Sequence, residues 1–492
     1  MEKYGIHPVK YEVCGEFKER ASKLWERLHT PGIYSPECLY QPGSYSWPGD
    51  YEGRTMLAWA LLGRLLDRKS PYLSEALQKY SRAVNEKGYF GEIYLPDVID
   101  EQQLAGHGWL LRSLAENFIN TGEKFFADAA KKILADLVMP LRGRFSSYPV
   151  SDSLREQKGE ASGSRDRKIG DWQVSTDIGA VFILLDGMLQ ASEVFDFPLG
   201  DLPQEMVDTF RKIDVLSVRA QTHATLSFLR AVLRLYRQSG DAGLLAYGER
   251  IYHIYRENGM TENFANDNWF MRPEWTEPCA VIDSFIAASM LADVTGKEEY
   301  LADAHRIWFS GVECGQRDSG GMGCDSCLHD DSPVLQVRIP EATWCCTMRA
   351  GEGFFACANM ALARKNDTLY VNLPVPGKYT FVDGLTVEIV SSYPIGAATQ
   401  VKIVKDGAEK IGNIKIFTVG NGWETPAENA LHREDYPLEE KSSLQGGKKI
   451  FWRGPVIYGR FTGTDEFIPL NQRWRVKMEE LKEKRIEVLF DK

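Results

Sequence analysis

"NTGEKFFADAAKKIL" (residues 120–134) has the pattern of a helix that ends at a glycine, followed closely by a second helix. The same pattern recurs in "QSGDAGLLAYGERIY" (238–252) and "VTGKEEYLADAHRIW" (294–308). A glycine after the last helical residue and a charged residue at the next helix start are the usual signals of such a turn. Gly122, Gly240 and Gly296 are 118 and 56 residues apart, so a unit of roughly 56 residues recurs. The sequence therefore predicts a series of helical hairpins.

Segments 65–80 and 186–201 lie in the same phase as these three turns. About six hairpins within residues 1–365 predict an (α/α)6 helical barrel, which binds its ligand among the ends of the inner helices. The long segments between turns have apolar residues at i, i+3, i+4 and i+7, as inner helices require. They are RTMLAWALLGRLL (54–66), EQQLAGHGWLLRSLAENFI (101–119), THATLSFLRAVLRLY (222–236) and CAVIDSFIAASMLADV (279–294).

After residue 365 the pattern changes to short β-rich segments separated by Gly, Asp, Asn and Lys. Alternation and turn spacing of this kind predict an antiparallel β-sandwich over residues 366–492, packed on the barrel as an accessory domain. The fold class is thus α+β and multidomain. Two polar, glycine-containing stretches, 153–170 and 315–332, are expected to be surface loops. The strand candidates are TLYVNLPV, LTVEIVSSYP, TQVKIVK, NIKIFTV and KKIFWRGPVIYGRF.

The composition is globular, with 43% hydrophobic and 26% charged residues and a net charge of -11. No basic cluster stands out, which argues against a nucleic-acid or membrane partner and favours an oligosaccharide or glycoside substrate. Because no signal peptide or uninterrupted apolar span is recognisable, we expect a cytoplasmic protein. The oligomeric state is open, a homodimer included. Nine cysteines, an odd number, fit free thiols and a metal better than disulfides.

Four candidate metal ligands lie in two short windows: Glu277 and Cys279 in "EWTEPCAV", and Cys345 and Cys346 in "TWCCTM". Three sulfurs and one carboxylate suit tetrahedral zinc. The alternative is that the cysteines are small buried apolar residues and that Glu277 caps a helix. A rival zinc site includes a C-x2-C step but lacks the partner pair, and a surface thiol loop is the alternative for it. Its residues are Cys314, Cys324, Cys327 and His329.

Two histidines, His107 and His223, lie near the starts of predicted inner helices, where an imidazole can contact a sugar hydroxyl. Each could equally be a hydrogen-bonded structural residue. Carboxylates for acid/base chemistry are numerous. Glu262 is notable because it leads an aromatic loop toward Glu277. The other candidates are Asp50, Asp171 and Asp177.

Several fragments, in the same order along the chain, resemble the zinc-dependent β-L-arabinofuranosidases of glycoside hydrolase family 127 and its relatives. The family has a Glu-x-Cys element, a later Cys-Cys pair and a downstream "lyVNLy" strand. They correspond to Glu277-Pro278-Cys279, Cys345-Cys346 and "TLYVNLPVPG". "THATLSFLRAVLRLYRQSGD" resembles the family's histidine-bearing helix, and "FWRGPVIYGRF" resembles a late strand.

The resemblance implies a retaining glycosidase in which zinc is held by Glu277, Cys279, Cys345 and Cys346. It further implies that Cys345 is the nucleophile and Glu262 the acid/base, while His223 and His107 contact the sugar. The chain departs from the family where Thr347, Met348 and Arg349 follow the cysteine pair, since prolines are usual there.

Two alternatives remain open at the level of sequence. One is a glycosidase, lyase or sugar epimerase that uses carboxylates alone, through Asp50, Asp171 or Asp177. The other is a sugar-binding or scaffold protein in which zinc is purely structural, as closed four-coordinate sites often are.

Overall fold

The structure is a computed structural model that describes residues 5–40, 47–155, 163–396, 398–408, 410–431 and 435–492. The helices are α1 (Gly15–Arg27), α2 (Pro36–Leu39), α3 (Asp50–Leu66), α4 (Leu73–Ala83), α5 (Glu101–Thr121), α6 (Lys124–Ile133), α7 (Asp152–Arg155), α8 (Leu184–Phe195), α9 (Leu202–Phe210), α10 (Thr222–Ser239), α11 (Ala242–Asn258), α12 (Pro278–Thr295), α13 (Glu298–Arg306), α14 (Glu313–Gly315), α15 (Cys346–Met360) and α16 (Met478–Glu483). The strands are β1 (Lys10–Val13), β2 (Ile99–Asp100), β3 (Arg165–Ile169), β4 (Trp172–Ser175), β5 (Cys324–Asp325), β6 (Val334–Leu335), β7 (Val337–Ile339), β8 (Leu362–Lys365), β9 (Thr368–Val371), β10 (Gly377–Thr380), β11 (Thr386–Ser391), β12 (Thr399–Lys405), β13 (Asn413–Thr418), β14 (Gly422–Glu424), β15 (Ala430–Leu431), β16 (Glu439–Ser442), β17 (Lys449–Arg453), β18 (Val456–Phe461), β19 (Phe467–Pro469) and β20 (Ile486–Glu487).

Six helices form a closed ring in which each packs against the next, in the order α3, α5, α8, α10, α12, α15, and α15 packs against α3. The hairpin turns are confirmed. Gly122, Gly240 and Gly296 follow α5, α10 and α12 in the left-handed conformation, with φ of 69°, 72° and 71°. Asp67 and Asp196 take the same position after α3 and α8. Five hairpins therefore repeat one turn, and α1 packs on α15 and α3 where the ring closes.

Glycines allow three neighbouring helices of the ring to approach each other at the backbone. A Cβ added to Gly187 of α8 would lie 2.0 Å from the carbonyl oxygen of Gly108 in α5. A Cβ on Gly53 of α3 would lie 2.4 Å from the backbone nitrogen of Leu110 in α5. Both contacts are with main chain, which cannot move aside as a side chain can.

We expect Gly187→Ala to destabilise the protein by about 1–3 kcal/mol, because overpacking against a backbone outweighs the helix propensity that alanine gains. Gly248→Ala is the matched control, since its Cβ would meet only the side chains of Leu233 and Leu229 at 3.1 and 3.4 Å. Urea unfolding of both variants measures the difference. Equal stability of the two variants would contradict the close-packing explanation.

The predicted strands after residue 365 are present, but they do not form a single antiparallel sandwich. They belong to three sheets, ordered β1-β10-β11-β12-β15, β14-β13-β9-β8 and β16-β17-β18-β20-β6, and β9 pairs with β13 in parallel. Strands β1, β6 and β8 come from the first 365 residues, so each sheet combines both parts of the chain. The domain division at residue 365 stays a prediction.

The expectation of a surface loop at 315–332 is wrong for most of its length. Residues 321–328 are buried, and within them Asp325 forms ion pairs with the guanidinium groups of Arg317 and Arg473. The thiols of Cys324 and Cys327 are buried with it. The other predicted loop, 153–170, includes residues 156–162, which lie outside the described residues.

Within the described residues, one helix, α12, is long and apolar enough to cross a membrane, and 78% of it is buried inside the protein. It is a helix of the ring core.

His305 of α13 connects the helices to the sheets. Its ring nitrogens bond the hydroxyl of Tyr393 and the carbonyl oxygen of Asn372, and burial lowers the pKa of His305 to about 3. The neutral ring is therefore the form that the fold stabilises.

In the unfolded chain His305 has a pKa near 6.5 and is protonated below that pH, whereas the folded protein keeps it neutral. The free energy of unfolding should therefore fall as pH decreases from about 6.5 toward 3, by at most about 1.4 kcal/mol per pH unit. We expect His305→Gln to lose stability less steeply than the wild type between pH 7 and 5 in urea unfolding. Parallel curves for the two proteins would contradict this.

Candidate functional site

The amino-terminal ends of five ring helices surround a cavity of about 860 Å³. This volume lies in the range of ordinary ligand pockets. Aromatic side chains form much of its wall, and such rings can stack on the faces of sugars. The polar lining residues at the helix ends are Asp50, Glu52, Arg54, Asp177, Gln221, His223, Glu277, Cys345 and Cys346; the Trp residues that line it are Trp47, Trp275 and Trp344.

Three thiols meet at one side of this cavity. The Sγ atom of Cys346 lies 3.5 Å from that of Cys279 and 3.4 Å from that of Cys345. All three sulfurs lie within 4.8 Å of one another. Zn–S bonds of 2.3 Å in a tetrahedron place sulfurs about 3.8 Å apart, so the three are spaced as ligands of one metal ion. The cysteine triad could hold a metal.

Helix geometry explains why these three converge. Cys279 is the second residue of α12, while Cys345 is the N-cap and Cys346 the first residue of α15, the helix next to α12 in the ring. Cys279 and Cys346 are buried, whereas Cys345 is partly exposed. Cys345 and Cys346 both line the cavity, and Cys345 is the more exposed of the two residues.

Glu277 is the N-cap residue of α12 and lies within 4.8 Å of Cys279 and His223. Its backbone N–H donates to the side chain of Asn266 at 2.8 Å. Burial, and next the charge of Asp177, raise the pKa of Glu277 to about 8. A nearby cation would offset both effects. Glu277 is therefore a candidate for the fourth ligand. Its carboxylate lies in a group with His223 and Cys279, at the side of the cysteine triad.

Without a cation the thiols would be neutral at pH 7. Burial raises the pKa of Cys279 and of Cys346 well above the usual range. The hydrogen bond with Cys279 lowers the pKa of Cys345. Its hydrogen bond with Cys346 and its burial act in the opposite direction, and the net pKa lies well above the usual range. Metal binding to such a set must release protons.

His223 lies in the first turn of α10 with its orientation fixed on both sides. Its Nδ1 is 2.8 Å from Oδ2 of Asp283, and its Nε2 is 3.3 Å from a guanidinium nitrogen of Arg54. Because Arg54 can only donate, Nε2 is the acceptor and Nδ1–H donates to Asp283. Burial lowers the pKa of His223 to about 4. The ring is neutral and lines the cavity, and its role as a sugar contact stays a prediction.

Arg54 is the cation nearest the sulfurs. Its guanidinium donates to Cys279 Sγ at 3.6 Å and to Asp50 Oδ1 at 2.8 Å, and it lies over the ring of Trp109 at 4.4 Å. It favours a thiolate at Cys279. The Asp50 carboxylate is thereby held in an ion pair.

Beneath the cysteines, Asp283 joins three ring helices. Its carboxylate accepts hydrogen bonds from His223 and Ser227 of α10 and forms ion pairs with Arg230 of α10 and Arg349 of α15. Asp283 has no exposed surface. Arg349, where the sequence departs from the family, therefore ties the cysteine-bearing helix to its neighbours.

We expect Asp283→Asn to destabilise the protein by about 3 kcal/mol or more, because two buried guanidinium groups lose a charged partner. Asp208→Asn is the control: Asp208 and its partner Arg211 are exposed, so a change within about 0.5 kcal/mol is expected. Denaturant unfolding measures both. A loss no larger than that of the control would show that the network does not depend on the Asp283 charge.

The structure does not bring Glu262 to this cavity. Its carboxylate accepts hydrogen bonds from the backbone N–H groups of Leu444 and Gln445, at 2.5 and 3.0 Å, and it is not among the residues that line the cavity. Burial raises the pKa of Glu262, and these bonds partly oppose the rise.

His107 also differs from the expectation of a sugar contact. Its Nδ1 bonds the carbonyl oxygen of Gln103 at 2.7 Å, and its Nε2 accepts from the backbone N–H of Phe90 at 3.0 Å. With both nitrogens engaged by main chain, it has the structural role that the sequence left as the alternative.

The rival cysteine set does not converge. Cys314 contacts Arg473, Cys327 donates to the carbonyl oxygen of Asn266, and His329 bonds Asp267 at 2.8 Å. Cys324 lines the main cavity instead. Among the alternative carboxylates, Asp171 is exposed and pairs with Arg144, whereas Asp50 and Asp177 line the cavity.

Sequence reasoning missed Arg54 and Asp283. A signal was present for both, since Arg54 is four residues after Asp50 and Asp283 is four residues after Cys279, which places each pair on one helix face.

With this geometry in place, solved structures can be compared. A GH127 β-arabinofuranosidase matches with a TM-score of 0.68 at 13% identity, over 99% of this chain and 98% of that chain. The chain has the fold of family 127 enzymes. A GH127 β-L-arabinofuranosidase from Geobacillus stearothermophilus T6 matches with a TM-score of 0.63 at 14% identity, over 93% of this chain and 87% of that chain. A structure described as a glycoside hydrolase gives 0.63 at 14% identity, over 93% and 84%. No family model and no curated protein matches the sequence.

Proposed function

We propose that the protein is a retaining exo-glycosidase that hydrolyses a furanoside, with Cys345 as nucleophile, and that β-L-arabinofuranosides are the first substrates to test. One observation carries the proposal: three sulfurs spaced for one metal lie at the wall of an aromatic-lined cavity, and Cys345 alone of the three is partly exposed. Likeness in fold to family 127 structures supports it.

The residues fit zinc by the chemistry of the donor set, with Cys279, Cys345, Cys346 and Glu277 as its ligands. Bound there, zinc would keep the thiols ionised and so make Cys345 nucleophilic at neutral pH. Partial exposure of Cys345 favours this role over a purely structural metal, for which all ligands could be buried.

In the first step the Cys345 thiolate attacks the anomeric carbon, the bond to the leaving oxygen breaks, and an acid in the cavity protonates that oxygen. In the second step the same group, now a base, takes a proton from water, whose oxygen attacks the anomeric carbon and releases the Cys345 thiolate. His223 and Arg54 line the cavity beside the Cys279 sulfur. The resemblance names Glu262 as the acid/base, but its carboxylate lies elsewhere.

In the same proposal the helical ring is an (α/α)6 barrel that carries the site, the residues after 365 are an accessory β domain, and the protein acts in the cytoplasm on an imported oligosaccharide. The proposal applies to a monomer and to a homodimer alike.

The test joins metal content to turnover of 4-nitrophenyl β-L-arabinofuranoside. We expect about one zinc per chain, loss of zinc and of turnover in Cys346→Ser and Glu277→Gln, and loss of turnover in Cys345→Ser. Prolonged chelation should abolish wild-type turnover. Cys38→Ser is the control, because Cys38 lines the same cavity but is not one of the three grouped thiols. Zinc-loaded wild type that cleaves no furanoside of a panel would refute the proposal.

A further inference from the structure

We propose that Asp177 is the general acid/base that works with Cys345. The inference rests on the proposed function and deepens it, because it assigns the proton-transfer step to a residue other than the one that the resemblance names. Its starting point is the position of Glu262, whose carboxylate is held by two backbone N–H groups away from the cavity.

Asp177 is placed across the cavity from the nucleophile. It precedes the 3-10 turn Ala180–Ile183, which continues directly into α8. In the ring, α8 and α15 are three positions apart in either direction, so they are opposite each other. A retaining glycosidase needs its nucleophile and its acid/base on opposite sides of the glycosidic bond. Asp177 and Cys345 both line the cavity, so a bound glycoside can contact the two groups from different sides.

The local structure holds Asp177 firmly. Its backbone N–H donates to Ser175 Oγ at 3.1 Å, its carbonyl oxygen accepts from Ala180 N–H at 3.1 Å, and Trp269 Nε1 donates to its Oδ1 at 3.3 Å. Asp177 is 3% exposed. A fixed carboxyl group with a wall of aromatic residues suits proton transfer to a bound glycoside better than a mobile surface group does.

Two of the other carboxyl groups that line the cavity already have a role in the site. Asp50 forms an ion pair with Arg54 at 2.8 Å. Glu277 is the fourth member of the metal ligand set in the proposed function. Glu52 also lines the cavity, but it is two residues from both Asp50 and Arg54, so its side chain leaves α3 in a different direction from the pair that contacts the sulfurs.

The proton balance is complete with these groups. As the Cys345 sulfur bonds to the anomeric carbon, the carbon–oxygen bond to the aglycone breaks and the Asp177 carboxyl proton moves to that oxygen. Asp177 then accepts a proton from water, the water oxygen bonds to the anomeric carbon, and the carbon–sulfur bond breaks to restore the thiolate. No oxidant or further reactant is needed.

Leaving-group dependence tests the role. We expect Asp177→Asn to lower kcat/KM for 4-methoxyphenyl β-L-arabinofuranoside about 100-fold or more and to change kcat/KM for the 2,4-dinitrophenyl glycoside little, because dinitrophenolate leaves without protonation. Azide should restore turnover of Asp177→Asn on the dinitrophenyl substrate and yield the β-L-arabinofuranosyl azide, which a residue with only a structural role would not produce. Zinc content should equal that of the wild type.

Asp171→Asn, an exposed residue of the same segment, is the matched control and should behave as wild type. Glu262→Gln is the competing variant. Leaving-group dependence and azide product in Glu262→Gln but not in Asp177→Asn would overturn the inference, as would an equal loss on both substrates without azide rescue. Zinc-loaded wild type that cleaves neither glycoside would instead refute the proposed function, and the role of Asp177 with it.

Discussion

The ion network around Asp283 is the interaction on which the site depends. Asp283 belongs to α12, the helix that supplies Cys279, and its carboxylate has no solvent exposure. Side chains of α10 and α15 bind this carboxylate. Arg349 reaches it from α15, a few residues beyond the cysteine pair, and lies over Trp109 of α5 at 4.2 Å. The two helices that carry the cysteines, α12 and α15, are thus joined by an ion pair in the layer below the sulfurs. A buried network of this kind is costly to desolvate, and removal of one partner leaves a buried charge without compensation.

The order of the helices was predictable because it rests on local signals. The turn after each inner helix needs a residue in the left-handed conformation, and the glycines at 122, 240 and 296 report that need directly. Asp67 and Asp196 fill the same position with less obvious residues, which made those two hairpins harder to recognise. The sheets were less predictable, since a strand such as β1 pairs with β10 across more than 360 residues of sequence and no local pattern records such a partner.

The grouping of Cys279, Cys345 and Cys346 was also within reach of the sequence, because their order along the chain resembles that of a known family, although residue types alone left buried apolar cysteines as an alternative. The roles of Glu262 and His107 were not, since motif position says nothing about the direction of a side chain. His107 lies in α5 of the ring as predicted, yet main-chain groups on both sides engage its nitrogens. The buried segment at 321–328 was taken for a surface loop because its glycines and polar residues resemble one. Its burial depends on Arg473, about 150 residues later in the sequence.

Closure of the ring by α15 against α3 also has a consequence for the order in which the protein is made. The first five inner helices leave the ribosome well before α15, so during synthesis α3 and α12 have an open side between them. Cys279 would wait there without Cys345 and Cys346 until about residue 360 has emerged. Closure of the ring is for this reason a late event, and the strand β1 stays without its partner β10 for even longer. A nascent chain of this architecture would depend on protection of its exposed helix faces until that event takes place.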